Sequence, residues 1–256
     1  MPMDARIMNQ LKPLSPITLA QMESVRLMNR TDSKFIACSE QLSDLLGMAS
    51  RDYLVQEIEG SRVASYRTMY LDDVDLTMYM LHHGGRQPRQ KVRVRSYVDS
   101  GLDFFEVKIK NNHGRTKKKR MQLAGDGAWR VNEAGEFLAR HALLPIPLDS
   151  MEPRISNSFR RITLVNRERT ERLTIDTDLC FHNETSGIDR EMENLAIIEV
   201  KRDGNTPSPV LDMLRELRIF PSGFSKYCIG MALTEPGIKR GNFKERLVRI
   251  DKLTRQ

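Results

Sequence analysis

Cationic side chains recur at every second position in several short segments of this 256-residue chain. A β-strand sends alternate side chains to opposite faces. On that spacing Lys91, Arg93 and Arg95 share one face, with Val92 and Val94 on the other. Glu106, Lys108 and Lys110 share a face opposite Phe105, Val107 and Ile109. Arg172, Thr174 and Asp176 form a third such face, and Glu199 and Lys201 oppose Ile198 and Val200 in a fourth. Taken singly, each reads as a half-buried strand with a solvated outer face. Together they read differently. Solvated faces usually mix Thr, Ser, Gln, Glu and Lys; these are mostly Arg and Lys, with one carboxylate beside a lysine on each of two strands. Like charges on neighbouring strands repel at short range. The arrangement makes sense if the faces converge on a polyanion, as in a barrel with charged faces inward and apolar faces packed against outer helices.

The elements that must position these residues are mostly strands. Strand-like segments are Lys34–Cys38, Tyr53–Glu59, Val63–Leu71, Gln90–Val98, Leu102–Lys110, Lys117–Leu123, Ile155–Val165, Arg169–Asp178, Leu195–Lys201 and Tyr227–Leu233. Helical spacing of Leu19, Met22, Val25 and Met28 predicts a helix over Thr18–Asn29. Ser39 is placed to cap a second helix carrying Leu42, Leu45 and Leu46. Further helices are expected over Asp73–His82, stopped by Gly84 and Gly85, and over Glu133–Leu143, Pro209–Leu217 and Phe243–Leu253. The fold class is α+β: a mainly antiparallel sheet with helices outside and at the ends. The expected division is an N-terminal helical segment over 1–29, a strand-rich domain over 30–235, and a basic C-terminal helix over 236–256 belonging to the same domain.

Composition narrows the partners. Hydrophobic residues make up 39% and charged residues 29%, enough for a real core. The net charge is +7 and the pI about 9.4, which favours anionic ligands without choosing among them. The three cysteines, Cys38, Cys180 and Cys228, are far apart and form no CxxC pair, so neither a zinc site nor a disulfide framework is indicated. No signal core precedes Pro13, and no apolar run approaches the about 18 residues that span a membrane. A soluble, cytoplasmic protein is expected; docking at the inner membrane through a membrane-protein partner is compatible with it. His82 and His83 are adjacent, do not face each other on a helix, and read as a solvent-facing helix end. The run from Arg115 to Arg120 has no aromatic stacking platform and does not read as a nucleic-acid site.

The order of the basic segments resembles the catalytic domain of the vacuolar transporter chaperone (VTC) polyphosphate polymerases, within the triphosphate tunnel metalloenzyme superfamily. The matching pieces are Arg30-Thr-Asp-Ser-Lys-Phe35, Tyr66-Arg-Thr-Met-Tyr-Leu-Asp72, Lys91-Val-Arg-Val-Arg-Ser-Tyr97, Glu106-Val-Lys108 with Gly114-Arg-Thr-Lys-Lys-Lys-Arg120, Ser158-Phe-Arg-Arg161, Arg172-Leu-Thr-Ile-Asp-Thr-Asp178, Ile198-Glu-Val-Lys201 and Phe224-Ser-Lys-Tyr227. They run in family order from about Arg30 to Leu233. Two departures stand out. Pro221-Ser-Gly-Phe224 lacks the extra lysine that eukaryotic members carry before the closing motif. No phosphate-sensing SPX domain is expected ahead of Arg30 and no membrane helices after the tunnel.

The resemblance implies ATP as phosphate donor, polyphosphate as product, and Mn²⁺ or Mg²⁺ as cofactor. It implies a catalytic set of Lys34, Arg93, Arg95, Lys108, Arg161, Arg172 and Lys226, with Lys118, Lys201 and Arg67 binding substrate phosphates; Glu199 is the first candidate to hold metal and Glu106 the second, with pairing to neighbouring lysines the favoured reading of Glu106. The residue types suit the chemistry. Arg forks grip phosphate oxygens in pairs and Lys supplies point charge. Phosphoryl transfer needs in-line positioning and charge stabilisation more than covalent help. A terminal phosphate acting as acceptor is already an anion, so no general base is required. With water as acceptor the same site would be a tripolyphosphatase or nucleoside triphosphatase; without turnover it would be a polyphosphate-binding module.

Overall fold

The computed structural model describes residues 4–22, 25, 30–124, 128–204 and 206–254. Its strands are β1 (Ser15–Ile17), β2 (Arg30–Cys38), β3 (Tyr53–Gln56), β4 (Ala64–Asp72), β5 (Arg89–Tyr97), β6 (Leu102–Lys110), β7 (Thr116–Gln122), β8 (Glu152–Asn166), β9 (Glu171–Asn183), β10 (Asp189–Met192) and β11 (Leu195–Asp203). Its helices are α1 (Ala5–Leu11), α2 (Leu19–Met22), α3 (Ser39–Ala49), α4 (Thr77–His83), α5 (Asn132–His141), α6 (Pro209–Glu216), α7 (Lys226–Thr234) and α8 (Lys244–Thr254). Eight strands hydrogen-bond in the order β2-β11-β9-β8-β4-β5-β6-β7, every pair antiparallel. The short β1 runs parallel to β3, which adds to the end of β8, and β10 pairs with β9. The sheet curls into a half-barrel with helices around it. None of the described helices is long and apolar enough to cross a membrane.

Apolar residues at alternate positions build the convex side. Phe35, Ala37, Ile162, Leu164, Leu173, Ile175, Ile198 and Val200 pack against α1, α3 and α6. Val92, Val94, Phe105 and Val107 pack against α5 and Met78. A buried polar contact ties α6 down: Glu171 accepts from the hydroxyls of Tyr53 and Ser208, and the Tyr53 oxygen accepts from the backbone N–H of Val210 at 3.0 Å.

The concave side is polar in its middle and apolar at one end. There Ile36 follows Lys34, Ile197 precedes Glu199, and Leu179 and Phe181 follow Asp176. The last shift in phase comes from a bulge: Ser158 pairs with Cys180 but Arg160 pairs with Thr177, and Asp178 takes a positive φ of 50°. Helix α7 fills this end. A Cβ at Gly230 would lie 2.5 Å from Ile155 and 2.6 Å from Phe181, so only glycine lets the helix approach this closely.

Helix α7 corrects the strand expected over Tyr227–Leu233. A short, wholly buried apolar run carries no period that separates strand from helix. Ser225 settles the matter as N-cap, its hydroxyl accepting from the Cys228 N–H. Helix α3 begins where expected, with Cys38 rather than Ser39 at its N-cap. Helix α2 covers the start of the segment expected over Thr18–Asn29; residues 23, 24 and 26–29 lie outside the described ones. The histidine pair ends α4 as expected but is only partly exposed. Cys228 Sγ lies 3.0 Å from His82 Nδ1, and both imidazoles meet Phe243 edge-on.

Candidate functional site

Three carboxylates, each bridged by two cations, organise the concave face. On the β5–β6–β7 wall, Arg93 donates from Nε and Nη2 to Glu106 Oε2 at 2.8 and 2.5 Å, and Lys118 Nζ reaches Oε1 at 2.9 Å. Burial alone would raise the Glu106 carboxyl; Arg93, Arg95 and Lys118 outweigh it and hold it down at about 2. On the β2–β11 wall, Lys34 Nζ lies 2.8 Å from Glu199 Oε1 and Lys201 Nζ donates to Oε2 at 2.7 Å. Here too burial is overcome by the lysines, and the carboxyl stays well below its ordinary value. Between the walls, Arg161 grips Asp176 with two bonds of 2.6 and 2.8 Å, and Lys226 at the start of α7 donates to the same carboxylate.

Other cations fill the space between. Arg95 is buried, donates from Nε to Thr68 Oγ1 at 3.2 Å, and lies 5.7 Å from the Tyr66 ring. Burial, Arg93 and Arg161 lower it to about 10. Tyr66 and Phe159 stack at 5.2 Å, with Arg161 5.2 Å and Lys226 4.0 Å from the Phe159 ring. Lys91 Nζ donates to Ser225 Oγ at 2.7 Å. Burial and Arg93 push Lys108 down to about 7, while Glu199 across the lumen pulls it up and Lys34 beside Glu199 adds to the fall. Burial lowers Lys226 to about 8 against the pull of Asp176.

The sequence-predicted residues Lys34, Arg93, Arg95, Lys108, Lys118, Arg161, Lys201 and Lys226 therefore meet on one face. Arg172 belongs with them, in phase with Thr174 and Asp176 and paired in register with Lys201. Arg67 does not. It is exposed and alternates with Tyr66 and Thr68, which point into the lumen, so it stands on the convex side. The two metal candidates also part. Both have their two oxygens taken by cations, but Glu106 is wholly buried whereas Glu199 keeps 15% of its side chain exposed.

Sequence reasoning missed Asp176 and Lys91 as members of the site, although both were in phase with residues chosen on the same strands. It missed the lumen-facing N-terminus of α7, whose signal was Ser225 directly before Lys226. Among the described residues no three His, Cys, Asp or Glu side chains cluster tightly enough to hold a metal by themselves.

Comparison with solved structures returns several neighbours at low identity. HpAC1 from Hippeastrum, a putative adenylyl cyclase with a dominant triphosphatase activity, aligns over 82% of this chain and 98% of its own at 12% identity, with a TM-score of 0.50. The PH1012 protein from Pyrococcus horikoshii OT3 aligns over 76% and 96% at 11% identity, with a TM-score of 0.41. The Pct1 RNA triphosphatase of S. pombe aligns over 98% and 93% at 8% identity, with a TM-score of 0.28. A search of curated proteins found no match. The VTC domain family model matches residues 29–235, which spans every strand from β2 to β11 and all the clustered cations, and the chain belongs to the VTC domain family.

Proposed function

We propose that this protein transfers the terminal phosphoryl group of ATP to a growing polyphosphate chain held along the concave face. The observation that supports this reading most is the gathering of nine Lys and Arg side chains on one face around three carboxylates, of which Glu199 is partly exposed. Arg93, Arg95, Arg161 and Arg172 provide forks for phosphate oxygens, and Lys34, Lys108, Lys118, Lys201 and Lys226 provide point charges. Glu106, Glu199 and Asp176 hold six of these donors. An incoming phosphate chain competes for them, and its in-line placement by fixed cations is the main catalytic device.

Glu199 fits a divalent cation. Mg²⁺ and Mn²⁺ commonly bind through one or two carboxylates and complete their shells with phosphate oxygens and water. A metal at either carboxylate would have to displace two cations; at Glu106 these are an arginine fork and a lysine on a wholly buried carboxylate, at Glu199 two lysines on a partly exposed one, so Glu106 fits less well. Bound at Glu199, the cation would offset charge on the phosphate oxygens.

The test is incubation with ATP and Mn²⁺, with products separated on a gel stained for polyphosphate and free phosphate measured in parallel. A ladder of chains with ADP is expected. Free phosphate without chains would replace transfer with hydrolysis. Silence even with an added polyphosphate primer would leave a binding module.

A further inference from the structure

Beyond the cations, the concave face ends in a patch of rings. Tyr97 is the last residue of β5 and Phe104 lies near the start of β6, on either side of the β5–β6 turn. Both are in phase with the lumen cations: Tyr97 with Arg93 and Arg95, Phe104 with Glu106 and Lys108. Tyr66 and Tyr97 are 5.0 Å apart by ring centroids, and Tyr97 meets Phe104 edge-on at 5.5 Å. The Arg120 guanidinium covers Phe104 at 4.6 Å. Along β5 the patch lies at the end away from Lys91, which bonds Ser225 at the start of α7.

Two features separate the patch from ordinary packing. Phe105, Tyr79 and Tyr227, which serve the core, are at most 1% exposed, whereas Tyr97 and Phe104 stay partly open to solvent. The rings also stand next to the phosphate-binding row. Tyr97 follows Arg95 by two residues, a rise of about 7 Å along a strand, which suits the ribose between a nucleotide's first phosphate and its base.

We propose that Tyr97 and Phe104 form a seat for an aromatic nucleobase at the open end of the lumen, so that the site selects a nucleoside triphosphate over a bare triphosphate. The inference rests on reading the concave face as a triphosphate site. A flat base can replace the planar Arg120 cation on Phe104, and the freed guanidinium can stack on the base in turn. Stacking of this kind tolerates any base, so selection should favour a base over none more strongly than one base over another.

The test compares binding of ATP, ribose 5-triphosphate and inorganic tripolyphosphate by calorimetry in EDTA, for the wild type and for Tyr97→Leu/Phe104→Leu. The wild type should bind ATP about ten-fold more tightly than ribose 5-triphosphate. The double variant should bind the two equally and keep wild-type affinity for tripolyphosphate. A Phe104→Trp variant gives a second readout: its fluorescence should be quenched by ATP and not by ribose 5-triphosphate, relative to a wild type carrying only Trp129. Equal wild-type affinity for ATP and ribose 5-triphosphate, with tripolyphosphate bound, would overturn the base seat and leave the triphosphate site standing. A preference for ATP surviving in the double variant would overturn the assignment to these rings, as would an unquenched Phe104→Trp. Failure of the wild type to bind tripolyphosphate at all would overturn the triphosphate reading and the seat with it.

Discussion

The string Glu-Val-Lys occurs twice on the concave face, as Glu106-Val-Lys108 in β6 and as Glu199-Val-Lys201 in β11, with opposite outcomes. In β11 the lysine folds back on its own glutamate at 2.7 Å, and Lys34 from β2 takes the other oxygen. In β6 the glutamate is claimed by Arg93 from β5 and Lys118 from β7, and Lys108 is left to face the lumen. Neighbouring strands make the difference. An Arg fork on one side and a lysine on the other seal Glu106 completely, while two flexible lysines leave Glu199 partly open. The same three residues therefore make a strut in one wall and an exchangeable site in the other.

Charge removal should separate the two most strongly. Glu199→Gln should lower turnover about a thousand-fold, the size expected when a charge at the reacting centre is lost, while ATP still binds. Steady-state rates and calorimetry on one preparation check both halves; wild-type turnover would sink Glu199 as the metal ligand. Glu106→Gln should act on the fold instead. It leaves Arg93 and Lys118 without their counter-ion, and urea denaturation should show a loss of about 3 kcal/mol. Wild-type stability with abolished turnover would reverse the roles assigned to the two walls.

The arginines should come next. Arg172→Ala and Arg93→Ala should each weaken ATP binding about ten-fold by removing charge-assisted hydrogen bonds to phosphate. Arg93→Ala should also lower the melting temperature, since it strips Glu106 of its fork. If ATP affinity is unchanged in either variant, that arginine does not touch the nucleotide.

Strand-by-strand reading went far because alternation is a local property. The lumen face of β5 was visible in Lys91, Arg93 and Arg95, and the boundaries of β6 were read without error. What stayed hidden depends on which strands become neighbours. Nothing in the string at 106–108 says that an arginine from β5 will claim the glutamate first. The bulge at Asp178 was also invisible, and with it the switch that turns Leu179 and Phe181 inward against α7. Helix α7 itself was misread because a segment buried on all sides shows no polar face to reveal its period. Arg67 was taken from its place beside Tyr66, where alternation already put the two on opposite faces.

The lysines of the two strings offer the finest distinction. Burial lowers Lys201 to about 8 against the pull of Glu199, and Lys108 to about 7, where Glu199 lies farther off and Arg93 adds to the fall. Both values are depressed below those of an unfolded chain, so between about pH 7 and about pH 10 the unfolded chain binds more protons and stability rises with pH. Phosphate binding needs the charged form and must run the other way. Tripolyphosphate affinity should fall several-fold from about pH 7 to about pH 9, while urea stability climbs over the same range. Lys108→Arg should remove the lower part of the affinity profile, because a guanidinium stays charged throughout. A profile that is flat in the wild type, or unchanged in Lys108→Arg, would mean that Lys108 stays charged or does not reach the ligand, and that the Glu-Val-Lys string of β6 is a strut from end to end.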